Sequence, residues 1–293
     1  MLRRQKILLT ILHESKRTLS QIEVVKLAFL IRHESAISED PSFYDFVPYK
    51  YGPFSFALYR ELEALQNNGY VDVSEASIHL SERTRAESLS KVRELTAREL
   101  SSVTAVVSKY SKLKANALIH DVYSRYPWFT LNSELTEMVP QPRPKRPKAR
   151  LAVYTSGYEG KSVDQFFDIL IRAGVQRVID VRFNPMSRKY GFAGSSLRRI
   201  GEKLGIGYAH LPDLGISGEH RESLDDYDSY QRLLDRYART FLKKQESALE
   251  ILADMLRQTA SVLVCMEKDV MCCHRGRLAT EMSDRTSLPV VHL

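Results

Sequence analysis

A proline run restricts this chain more than any other feature. Residues 139–150 read VPQPRPKRPKAR, with prolines at 140, 142, 144 and 147. Proline fixes φ and lacks the amide donor that helix and sheet require, so an extended, semi-rigid spacer is expected here. The spacer divides the 293 residues into two stretches of ordinary domain length. Charge marks the same division. Residues 1–138 hold 18 Lys/Arg against 17 Asp/Glu, and residues 151–293 hold 20 against 19. The other +5 of the net charge of +7 lies in residues 139–150, which contain no acid. The expected organisation is thus a binding domain at 1–138, a basic linker at 139–150 and a second domain at 151–293. Arg143, Lys145, Arg146 and Lys148 are candidate phosphate contacts for nucleic acid. A purely solvated linker is the alternative.

The basic start and the apolar residues Ile7, Leu8, Ile11 and Leu12 have helical spacing, with His13 and Glu14 where a leader would carry a cleavage site. No apolar run approaches the ~18–20 residues of a membrane span. A cytoplasmic protein without membrane association is expected. The three cysteines, Cys265, Cys272 and Cys273, are odd in number and clustered, unlike a secreted disulfide framework.

In the first half, helices are expected over Arg3–His13, Gln21–His33 with Ser20 as N-cap, and Phe54–Asn68 closed by Gly69. A turn-rich segment precedes the third helix. Two alternating runs, Tyr70–Val73 and Ile78–Leu80, predict a hairpin, and helical stretches are expected at about 84–95 and 96–126. Three helices and then a hairpin is the order of a winged helix-turn-helix. The segment YKYGPFSFALYRELEALQNNGYV also resembles the Panacea-type, antitoxin-like and phage-associated domains over Arg3–Leu80. That resemblance implies a nucleic-acid- or protein-binding module. Lys50 and Arg60 are the expected phosphate contacts, with Ser55 and Tyr59 reaching bases. The near-neutral charge leaves a protein partner as the alternative.

The second half alternates strand and helix: LAVYTS, SVDQFFDILIRAG, VQRVIDVRF, SSLRRIGEKLG, IGYAHLP, a long helix at about 227–258, SVLVCME, RGRLATEM and LPVVHL. This predicts a three-layer α/β/α domain with a mostly parallel sheet. Ligands bind such sheets at the carboxyl ends of the strands. Polar groups follow four of them: Thr155–Glu159, Asp180–Tyr190, His210–Gly215 and Cys265–Arg275.

Those clusters also carry a resemblance. Thr155-Ser156-Gly157-Tyr158, Asp180-Val181-Arg182 with Pro185, Ser187 and Arg188, Leu211-Pro212 with Leu214-Gly215, and Cys265-Met266-Glu267 with Cys273-His274-Arg275 resemble the family known as domain of unknown function 488. The resemblance implies membership of an uncharacterised family, some of whose members occur in DNA-repair or defence settings. It brings no settled reaction.

From residue types, Arg182, Arg188 and Arg275 would converge on an oxyanion, aided by the helix start at His274 and Arg275. Glu267 is the candidate general base, and Asp180 would orient an arginine or hydroxyl. Tyr158 would stack on a base, Ser187 and Cys273 are candidate nucleophiles, and Tyr208 is a further substrate contact. Two plainer readings stand beside these: Asp180 and Arg182 as a buried ion pair, and Cys265 as a small core residue. Six residues separate Cys265 from Cys272, and Cys273 follows directly, so ligand spacing speaks against a structural zinc site. No metal or cofactor is expected. No cysteine has an arginine six residues on, which disfavours a phosphatase loop. The expected function is nucleic-acid binding joined to hydrolysis of a glycosidic or phosphoester bond. The alternative is a non-catalytic regulator, an antitoxin-like sensor of a small anionic ligand or protein partner.

Overall fold

The protein is described by a computed structural model covering residues 1–74, 77–85, 95–220 and 227–293. It divides into two compact units, Met1–Lys145 and Arg146–Leu293. No helix among the described residues is long and apolar enough to cross a membrane.

The first unit opens with helices α1 (Arg3–Glu14) and α2 (Gln21–Glu34). Ser20 caps α2 by accepting from the Glu23 amide, and Glu23 reaches back to the Ser20 amide, which satisfies two end donors at once. The turn-rich segment folds into an antiparallel hairpin, β1 (Val47–Tyr49) and β2 (Gly52–Phe54). Gly52 takes φ 85° there, and a Cβ on it would meet the Tyr123 ring at 2.5 Å. Helix α3 (Phe56–Asn67) follows, then a second hairpin, β3 (Val71–Val73) and β4 (Ile78–Leu80). Leu19, between α1 and α2, bridges antiparallel to Ile78 of β4. The stretch expected at 84–95 lies largely outside the described residues. That expected at 96–126 is two helices, α4 (Ala97–Tyr110) and α5 (Ala115–Arg125). One apolar core joins these helices through Leu8, Ile11, Leu27, Phe29, Val103 and Val122.

The proline segment has no helix or strand and is shared between the units. Val139 is buried in the first core, and Arg143 donates to the Ser133 carbonyl at 3.0 Å. Within the second unit, half-buried Arg146 donates to the Leu204 carbonyl at 2.8 Å. Pro147 and Ala149 lie where a Cβ on Gly174 would stand. The segment is therefore partly seated on each unit rather than wholly solvated. Arg143, Lys145, Lys148 and Arg150 are its exposed cations, and of these Arg143 is engaged with the Ser133 carbonyl.

The second unit is an α/β domain with a five-stranded, wholly parallel sheet. Its strands are β5 (Val153–Gly157), β6 (Arg177–Asp180), β7 (Gly207–His210), β8 (Ser261–Cys265) and β9 (Val290–His292), in spatial order β7-β6-β8-β5-β9. Helices α6 (Val163–Ala173) and α7 (Gly194–Lys203) link β5 to β6 to β7. Helices α8 (Tyr227–Arg236) and α9 (Glu246–Gln258) precede β8, and α10 (His274–Thr286) leads to β9. The steps β5→β6→β7 run one way along the sheet, and the steps to β8 and β9 run back. Right-handed crossovers then put α6 and α7 on one face and α8–α10 on the other. Accordingly Val153, Ile179 and Leu263 share a core with Leu234, Leu252 and Leu278.

The long helix expected at 227–258 is broken. After Arg236 come a π turn, Tyr237–Phe241, and a 3-10 turn, Leu242–Lys244. The extra residue resets the helical phase, so that Leu234, Tyr237, Leu242 and Leu249 all enter one core. Tyr237 anchors the break by donating to the Leu214 carbonyl at 2.6 Å.

Candidate functional site

The sheet register aligns its strand ends. Gly157 pairs with Cys265, and Asp180 pairs with both Val264 and His210. The loop after β6 leaves toward one face and the loop after β8 toward the other, because their crossovers run in opposite directions. A cleft of about 260 Å³ opens between them. Tyr158 and Arg182 form its inner wall, Cys265 and Glu267 lie at its floor, and Phe183 and Met186 stand at its rim. The opening falls where ligands enter such sheets.

Two glycines make this possible. A Cβ on Gly157 would lie 1.8 Å from the Glu267 carbonyl oxygen, and one on Gly215 would lie 2.1 Å from the Phe183 amide nitrogen. The loops after β5 and β8, and after β6 and β7, touch backbone to backbone at these points.

One wall is a closed ionic network. Asp180, fully buried, accepts from Arg182 Nε at 2.8 Å, from Arg182 Nη2 and from the Arg182 amide at 3.2 Å. Tyr208 donates its hydroxyl to Asp180 at 3.0 Å. Arg182 Nη1 donates to the Tyr158 hydroxyl at 3.1 Å, with the guanidinium 5.2 Å from that ring's centre. Tyr158 stacks on Phe192, centroids 4.3 Å apart. Burial opposes the Arg182 charge, but Asp180 outweighs it and the group is held above its ordinary range. Burial and then Asp180 push the Tyr208 hydroxyl up. The buried ion-pair reading of Asp180 and Arg182 is what the geometry displays, and Tyr158 faces a protein ring.

The floor is a second cluster. Glu267 Oε2 accepts from the Cys265 and Cys273 thiols, both at 3.0 Å. Cys265 Sγ is 3.7 Å from His274 Nδ1, and His274 Nε2 is 2.9 Å from the Val181 carbonyl oxygen. That oxygen can only accept, so Nε2 carries the proton and Nδ1 turns its lone pair to the thiols when the ring is neutral. Cys265, Cys273 and His274 are all buried. Burial raises the Glu267 carboxyl, yet the Cys273 and Cys265 hydrogen bonds outweigh it and hold the group below its usual range. Burial pushes the Cys273 thiol well up, which removes the activation its helix-start position would provide.

The three arginines have separate engagements. Arg182 is paired as described. Arg275 is buried and donates to the Glu267 and Lys268 carbonyls at 2.5 and 3.0 Å, clamping the loop after β8. Arg188 is exposed, and neighbouring Ser187 accepts from the Lys189 amide at 3.2 Å. Around the cleft, Lys161 donates to the Gly157 carbonyl at 2.8 Å and Lys189 to the Tyr158 carbonyl at 3.1 Å. Beside the network, exposed Arg198 and Arg199 line a groove of about 340 Å³ with Tyr208 and His210. Lys161, Arg198 and Arg199 lie outside the strand-end motifs and carry no signal in the sequence, whereas Lys189 falls within the Asp180–Tyr190 cluster.

In the first unit, Ser55 is fully buried and caps α3 by accepting from the Leu58 amide, a role that turns it away from solvent. Tyr59 is half-buried against Phe54, centroids 4.5 Å apart. Lys50 pairs with Glu134 at 2.9 Å, and Arg60 is exposed on α3. The sequence reading passed over Lys26. It is buried and donates to the Tyr51 and Pro53 carbonyls beneath the β1–β2 turn, with burial pushing its ammonium down to about 7.

Comparison with known proteins bears on the second unit. Residues 162–282 match the family described as Domain of unknown function DUF488. The matched segment runs from the start of α6 into α10 and so contains both clusters except Tyr158. No curated protein matches the chain.

Proposed function

We propose that this protein binds nucleic acid and that the strand-end cleft receives a nucleobase from it, with Glu267 serving hydrolysis of the bond to the sugar. The observation that carries this reading is the composition of the cleft. Exposed Phe183, Met186 and Met266 offer an apolar, planar-ligand surface above a floor that holds a carboxylate. Enzymes that act on a base commonly extrude it into such a pocket. Phosphoester cleavage is less well supported, since Arg182 and Arg275 are spent on protein partners rather than turned to an oxyanion. In the step proposed, water adds its oxygen to the sugar C1′ and gives a proton to Glu267. The electrons of the broken C1′–N bond leave with the base, which takes up a proton.

Binding is assigned to the exposed cations and to a winged-helix reading of the first unit. The Leu19–Ile78 bridge supports that reading, since it ties the segment between α1 and α2 to the second hairpin as a wing requires. Arg60 on α3, the exposed cations of the proline segment and Arg188, Arg198 and Arg199 on the second unit are the phosphate contacts proposed.

The test measures base release and DNA binding together. Glu267→Ala should abolish release from a panel of labelled single- and double-stranded oligonucleotides, while affinity at two salt concentrations is kept. Neutralising Lys145, Lys148 and Arg150 should reduce the dependence of log K on log salt by roughly one per lost contact. Full release by Glu267→Ala defeats the hydrolytic reading. Absence of salt-dependent binding defeats the nucleic-acid reading and favours a protein partner. Binding without turnover in the wild type favours a regulator, to which the self-neutralised Asp180–Arg182 pair would be suited.

A further inference from the structure

We infer that Cys265, Cys273 and His274 bind a divalent transition metal, Zn²⁺ by ligand chemistry, with its fourth position turned toward Glu267 and the cleft. The two sulfurs and the imidazole nitrogen all lie within 4.8 Å of one another. An ion about 2.3 Å from sulfur and about 2.0 Å from nitrogen sets tetrahedral S and N about 3.5 Å apart, and Cys265 Sγ and His274 Nδ1 are 3.7 Å apart. The tautomer is fixed for ligation, because the bond from Nε2 to the Val181 carbonyl leaves Nδ1 as the donor atom. A backbone carbonyl on the far nitrogen is the usual second partner of a metal-binding histidine. Two thiolates and one imidazole suit zinc over the hard cations.

The ligands come from the end of β8 and the start of α10, which the Arg275 clamp holds together. That is why the chain spacing of a zinc finger is absent: the sheet, rather than a short knuckle, brings the donors together. Three protein ligands with one side open to a cleft is the pattern of a catalytic ion. Glu267 Oε2, 3.0 Å from both sulfurs, is placed to hold a water in the fourth position. A water there would be the nucleophile of the hydrolysis proposed above, and this role of the ion rests on that reading. Metal binding itself does not. On binding at neutral pH two thiol protons leave to solvent as two S–metal bonds form.

The test uses the full-length chain, stripped of metal and kept reduced without oxygen, and titrated with Co²⁺ and no nucleic acid. The expected result is about one equivalent bound, with the intense d–d absorption of tetrahedral cobalt and a thiolate-to-cobalt charge-transfer band, both removed by Zn²⁺. Cys272→Ser and Glu267→Gln should keep the bands; Cys265→Ser and Cys273→Ser should each lose them. Should those variants not fold, the wild type still decides. Zn²⁺ should protect two of the three thiols from a thiol reagent and leave Cys272 reactive. Octahedral or absent cobalt spectra, or no thiol protection, overturn the metal site. Bands that form normally in a protein that releases no base leave the metal site standing and defeat the hydrolytic reading alone.

Discussion

Replacing Asp180 with Asn tests the buried network most directly. The change removes a charge that accepts three hydrogen bonds from Arg182 and one from Tyr208, in a side chain with no exposed surface. Arg182 is 6% exposed and would keep only neutral partners, the amide oxygen left at position 180, the Tyr158 hydroxyl and that ring's face. Removing one member of a buried pair typically costs about 3–5 kcal/mol, because the remaining charge stays desolvated. Arg182→Met should cost about the same by leaving the carboxylate to Tyr208 and a backbone amide. The double variant has no charge to strand. It loses hydrogen bonds worth about 1 kcal/mol each and regains apolar packing, so its cost should fall well below the sum, by at least about 2 kcal/mol.

Urea unfolding followed by two probes can measure this. The single tryptophan, Trp128, lies in the first unit and reports on it, whereas far-UV circular dichroism reports both units. The single variants should shift the circular-dichroism transition and leave the tryptophan midpoint in place. If Asp180→Asn costs less than about 1 kcal/mol, or if the two single costs add, the pair is not the closed, desolvated unit described.

Lys26 gives a pH signature. Its folded pKa of about 7 lies below the ordinary lysine value, so the unfolded chain holds the extra proton between about pH 7 and 10. Stability of the first unit should therefore rise across that window, by up to about 4 kcal/mol, and be lowest at and below pH 7. The tryptophan-detected urea midpoint should climb in the wild type and stay flat in Lys26→Met; a flat wild-type profile refutes it. Gly157→Ala should cost about 3 kcal/mol or more by driving a methyl into the Glu267 carbonyl, while Gly160→Ala, with nothing within 4 Å, should cost only the ~1–2 kcal/mol of its left-handed backbone. Thermal melts of the two variants compare them, and equal losses would show that the loops after β5 and β8 do not meet as described.

Much of the second unit could be read from its sequence, because a parallel sheet buried on both faces requires short apolar runs ending in polar turns. Val153–Gly157, Arg177–Asp180 and Ser261–Cys265 fit that rule, whereas the edge strand Gly207–His210 is at most half-buried. The turn at Lys50–Tyr51 lacked an Asn-Gly signal, so the β1–β2 hairpin went unseen until Gly52 showed its positive φ. The break at Tyr237 was invisible because apolar periodicity continues on both sides of a π turn. At the site, residue identity was legible and partnership was not. Asp180 and Arg182 sit two apart at a strand end, and whether such a pair faces a ligand or closes on itself depends on rotamers. Ser55 carried a local signal that was outweighed by the recognition-helix reading: a serine just before a helix is a cap before it is a base reader.

The two clusters differ in what they leave available. In the Asp180 network nearly every strong donor and acceptor meets a protein partner of opposite character, so the wall it forms is rigid and electrically quiet. At the floor the arrangement is reversed. Two thiols donate to one carboxylate oxygen of Glu267, and the imidazole beside them directs a lone pair inward. Such a cluster would gain from an added cation, which would take the two sulfurs, once deprotonated, and the imidazole nitrogen as ligands. The His274–Val181 bond connects the two clusters, because Val181 lies between Asp180 and Arg182 and its carbonyl sets the ring orientation. Rigidity on β6 therefore fixes geometry on α10. On the function proposed above, chemistry falls to the β8–α10 floor, while the buried Asp180–Arg182 pair and the Val181 carbonyl between its members hold that floor in register.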